Sequence, residues 1–106
     1  MMKKESVEKV IAKVLEANGF GIKKVTLGWV GYMDKDAEHP FDGELSIAID
    51  EKKISRDECE AEANVNIRKT GYFTEPSKAM KLADEIQKTA HVAQMINDMN
   101  LKFERE

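Results

Sequence analysis

The chain has 106 residues, a formal net charge of −3, 42% hydrophobic and 35% charged residues. That is enough apolar material for one modest core, so residues 1–106 read as a single domain. The acidic balance disfavours a general nucleic-acid binder working by phosphate neutralisation, no run approaches the ~20 apolar residues of a membrane span, and a lone cysteine, Cys59, fits a reducing cytoplasm.

Met1 to Glu5 lead straight into an amphipathic pattern with no apolar stretch, so no secretory signal is expected there. Residues 6–18 read as a helix. Val7, Val10, Ile11, Val14 and Leu15 recur at helical spacing and form one apolar stripe. Ser6 is the expected N-cap. Asn18, Gly19 and Gly21 supply the stop, since both residue types tolerate a left-handed backbone.

Residues 22–33 change to period two, with Val25, Leu27, Trp29, Gly31 and Met33 on one side. This predicts a strand with one apolar face. Asp34 to Asp42 is polar and reads as a loop closed by Asp42-Gly43. Residues 43–50 predict a second strand, with Leu45, Ile47 and Ile49 inward and Glu44, Ser46, Ala48 and Asp50 outward. A charged connection, Glu51 to Asp57, follows.

Residues 58–69 predict a third strand. Cys59, Ala61, Ala63, Val65 and Ile67 lie on one face, and Glu58, Glu60, Glu62, Asn64, Asn66 and Arg68 on the other. The run Asn64-Val65-Asn66-Ile67 decides for strand over helix. Thr70 to Phe73 is a turn, and Thr74-Glu75-Pro76-Ser77 opens a helix over about 76–100. Ala79, Leu82, Ala83, Ile86, Ala90 and Ala93 make a flat stripe suited to lie on a sheet.

The expected fold is therefore α+β, in two layers with the order α-β-β-β-α. Short connections favour a three-stranded antiparallel meander, with the two helices on one face and the other face to water.

Catalysis finds no footing in this pattern. Cys59 falls on the inward face of a strand, where burial leaves a thiol inert. His39 and His91 stand next to no nucleophile, and no glycine loop is placed to cradle phosphate. The surface carboxylates have nothing to desolvate them. No enzyme activity and no cofactor are expected. Asp34, Asp36, Glu38 and Asp42 begin like a calcium loop, but His39 stands where glycine is needed and Leu45 where glutamate is needed. No metal site is assigned to them.

The second helix opens with Glu75-Pro76-Ser77-Lys78-Ala79-Met80-Lys81, which holds two scattered lysines. Lys52, Lys53 and Arg56 in the preceding connection are set among Glu51 and Asp57. The element order resembles that of the double-stranded-RNA-binding domain, a family that meets phosphates with lysines at the start of its second helix. The resemblance is one of topology and carries no residue over.

The charge is unevenly spread. Asp34 to Glu62 hold eleven acidic and four basic residues, a balance of −7 that leaves +4 for the rest. With simple pairing, Tyr32, Glu44, Asp50, Glu58, Glu60 and Glu62 share the open face of the sheet. The expected function is that of a small cytoplasmic binding or inhibitory protein. Its acidic face would meet a basic surface of a protein partner, in the manner of small acidic inhibitors from phages and other mobile elements that block nucleic-acid-binding proteins.

Beside it stand a reading as a metal-binding protein through Asp34, Asp36, Glu38 and Asp42, left open by the sequence, and two others. One is nucleic-acid binding through Lys3, Lys4, Lys9, Lys13, Lys23, Lys24, Lys78, Lys81 and Lys88. The other is a dimer contact through Met95, Ile96, Met99 and Phe103, where the second helix is expected to overhang the sheet. Monomer and homodimer are both compatible with the sequence, and no membrane partner is expected.

Overall fold

The structure, a computed structural model of the chain, describes residues 2–20, 25–27, 45–67 and 76–105. It is α+β, and the described residues form two helices and a three-stranded antiparallel sheet. The elements are α1 (Lys4–Ala17), β1 (Leu45–Lys53), β2 (Glu58–Ile67), α2 (Pro76–Asp98) and β3 (Lys102–Glu104). The sheet order is β1-β2-β3.

Helix α1 starts two residues before the expected position, and Ser6 is not its cap. Lys3 is the N-cap, extended and without a side-chain cap bond. The reason lies in the preceding residue. Met2 forms a parallel bridge to Phe103, and its carbonyl accepts the Glu104 N–H at 3.0 Å. The chain is thus pinned to β3 at Met2 and turns into the helix at once. The Lys3 carbonyl then accepts the N–H groups of Ser6 and Val7.

The end of α1 follows the expected chemistry. Gly19 takes φ +83°, the Phe20 N–H reaches the Leu15 carbonyl at 3.0 Å, and the Gly19 N–H reaches the Glu16 carbonyl at 3.1 Å. This is the paired closure of a Schellman motif, and its usual apolar partners, here Leu15 and Phe20, are both buried in the core. Asn18 adds a bond from Nδ2 to the Val14 carbonyl at 2.7 Å.

The expected strand at 22–33 is not seen where it is described. Val25 and Thr26 are irregular and Leu27 lies in a turn; the other residues of that span lie outside the described residues. The side chains still point as alternation predicts, since Leu27 is buried and Val25 packs against the core. The Leu27 N–H, however, goes to the Glu8 carboxylate at 2.9 Å rather than to a ladder. Period two reported which side chains turn inward, not which backbone is paired.

Strand β1 runs on to Lys53, through residues expected in a connection. The register continues from Ile47↔Val65 and Ile49↔Ala63 to Glu51↔Ala61 and Lys53↔Cys59. The turn is short, and the Glu58 carbonyl accepts the N–H groups of Ile54 and Ser55. Glu51 can occupy the inward side because Lys4 Nζ lies 3.7 Å from its carboxylate at the half-buried rim.

The third strand of the sheet comes from the C-terminal end. Asn100 adopts φ 50° and stops α2 at Asp98, after which Leu101 and Phe103 are buried and β3 pairs with β2. The described order is thus α-β-β-α-β, with α2 joining two neighbouring antiparallel strands. Asparagine tolerates the left-handed region, which makes the sharp exit possible at this position.

One core unites these parts. Val7, Ile11 and Leu15 from α1 meet Ile47, Ile49, Cys59, Ala61, Ala63 and Phe103 from the sheet and Val92, Ala93 and Ile96 from α2. The buried line of α2 is Leu82, Thr89, Val92, Ala93 and Ile96. Ala79, Ala83 and Ala90 of the expected flat stripe are exposed. Thr89 is tolerated there because its hydroxyl donates to the Glu85 carbonyl at 2.7 Å.

Candidate functional site

In a paired sheet, side chains alternate between faces, so the register alone sorts them. Cys59, Ala61 and Ala63 of β2 are buried, and Glu58, Glu60 and Glu62 between them are half-buried on the opposite face. On that outer side Asp50 faces Glu62, Lys52 faces Glu60, Glu60 also faces Lys102, and Glu58 faces Glu104. Asp50 further accepts a bond from Asn64 Nδ2 at 3.4 Å.

The charges therefore fall in three rows. A lysine–glutamate–lysine row, Lys52-Glu60-Lys102, crosses the sheet in the middle. On either side lies a pair of directly opposed acids, Asp50 with Glu62 and Glu58 with Glu104. Glu58 and Glu62 are four residues apart, which is about 13 Å along a strand. Lys52, Glu60, Ala61, Glu62 and Asn97 line a shallow hollow of about 240 Å3 beside the middle row.

The four acids expected from β1 and β2, Asp50, Glu58, Glu60 and Glu62, thus lie together. Tyr32 and Glu44 lie outside the described residues. Glu104 was missed, since its strand was missed; the alternation Leu101-Lys102-Phe103-Glu104 was the only signal, and four residues are too few to separate a strand from a helix tail. The lysines facing Glu60 were likewise invisible without the register. The outer face is not open throughout, because Ala48 is buried.

The other candidate groups are dispersed. Ile96 and Phe103 are fully buried in the core, so of the four residues expected at a dimer contact only Met95 and Met99 are exposed. Among the basic residues, Lys4 is paired with Glu51 and Lys88 with Asp84 at 3.0 Å. Lys3, Lys9, Lys13 and Lys81 are exposed, and Lys23 and Lys24 lie outside the described residues.

Cys59 is fully buried. Burial pushes its thiol above the ordinary value of 9.0, and a hydrogen bond and repulsion from Glu51 add to the effect. A thiol so placed is the reverse of an activated nucleophile.

Among the described residues no group of three or more His, Cys, Asp or Glu is arranged to hold a metal ion. Asp34, Asp36, Glu38, His39 and Asp42 lie outside the described residues. Among the described residues no helix is long and apolar enough to cross a membrane. No protein-family model matches the chain, and no curated protein or solved structure matches it either.

Proposed function

We propose that this chain is a small, non-catalytic cytoplasmic binding protein whose outer sheet face engages a basic surface of a protein partner, in the manner of an inhibitor of a nucleic-acid-binding protein. The observation that carries the reading is the register of Asp50 against Glu62 and of Glu58 against Glu104. Like charges directly opposed on a sheet lower stability, by roughly 0.2–1 kcal/mol relative to neutral pairs. A face kept only for solubility would mix its signs at these positions, as it does at Lys52-Glu60-Lys102. Two acid pairs about 13 Å apart suit two clusters of arginine or lysine on a partner, and their field would speed association.

The test is capture of partners from the native host by the tagged protein, beside a variant with Asp50→Asn, Glu58→Gln, Glu62→Gln and Glu104→Gln. A basic protein retained by the parent at low salt, lost at high salt and lost in the variant supports the reading. Equal capture by both forms sinks it.

A further inference from the structure

We draw no further inference here: the strongest candidate, the cleft of about 420 Å3 between the C-terminal turn of α1 and the middle of α2, has an apolar floor of Phe20 and Val92 beside a Lys88 already paired with Asp84, and nothing in the structure shows what covers it.

Discussion

The carboxamide of Asn97 binds the main chain of Ala63 twice. Its Oδ1 accepts the Ala63 N–H at 2.7 Å, and its Nδ2 donates to the Ala63 carbonyl at 2.8 Å. Two residues earlier along that edge, the Ala61 N–H is taken by the Leu101 carbonyl at 2.9 Å, and beyond it β3 pairs at Cys59. The edge of β2 is thus satisfied in sequence by a strand, a single carbonyl and a side chain. Asn97 stands in for a neighbouring strand at the point where β3 has not yet begun, and it ties the last turn of α2 to the sheet.

Replacing Asn97 by alanine leaves both polar groups of Ala63 without these partners. Leaving such groups unpaired costs roughly 1–3 kcal/mol, so Asn97→Ala is expected to lower stability to urea by about that amount. Asn97→Asp keeps the acceptor but sets a carboxylate against the Ala63 carbonyl, so it is expected to fail as a rescue. Amide hydrogen exchange at Ala63 is the local readout. An unchanged exchange rate in Asn97→Ala would show that the side chain is not holding this edge.

The two helix exits separate glycine from asparagine. Gly19 has φ +83° and nothing within 4 Å of where a Cβ would lie, so Gly19→Ala meets no clash and pays only for its backbone conformation. The expected loss is about 1–2 kcal/mol. Asn100, at φ 50°, already bears a side chain, and its Nδ2 donates to the Asp98 carbonyl at 3.2 Å. Asn100→Gly is expected to change stability by less than Gly19→Ala, and Asn100→Val by more than Asn100→Gly, since a β-branched residue fits this region poorly. Chemical denaturation of the three variants ranks them.

The thiol of Cys59 gives a pH signature. Its folded pKa is raised above the ordinary 9.0, by burial first and by Glu51 second. Above pH 9 the unfolded chain therefore loses this proton while the folded chain keeps it. The folded state then binds more protons, and stability falls as pH rises until the folded pKa is reached. Below the unfolded pKa this contribution to stability is fully present. Cys59→Ala is expected to flatten that alkaline decline, at the cost of a small cavity in the core. In the native protein at neutral pH, a thiol reagent should label Cys59 far more slowly than in the urea-unfolded chain, because the buried sulfur is reached only through opening.

Much of this fold was legible because burial is periodic. Val7, Ile11 and Leu15 marked α1, and the ten-residue alternation around Cys59, Ala61 and Ala63 marked β2 together with its outward acids. What was hidden depended on pairing. Glu51 to Lys53 look like a polar connection, and only their register with Ala61 to Cys59 makes them strand. Leu27 alternates like a strand residue, yet its N–H is claimed by Glu8. β3 is three residues long, and its place is fixed by the turn at Asn100 and the bridge from Met2, neither of which leaves a periodic trace. The acidic face was visible residue by residue, but its division by Lys52 and Lys102 was not, because cross-strand neighbours are distant in sequence.

That division sets the most discriminating prediction. Neutralising Asp50 or Glu62 removes a repulsion between directly opposed carboxylates, and so does neutralising Glu58 or Glu104. Each of Glu62→Gln and Glu58→Gln is expected to raise stability, by roughly 0.2–1 kcal/mol and less at high salt. Glu60→Gln is expected to do the opposite, because it removes the acid that lies between Lys52 and Lys102 and leaves the two lysines facing a neutral residue. Thermal melts at low and high salt read both signs. If the proposed function holds, the two stabilised variants bind the partner more weakly even though they fold better, which separates loss of binding from loss of structure. Melting temperatures that fall for all three substitutions would mean that the acids are held by interactions other than those the register shows, and the charge argument for this face would fail with them.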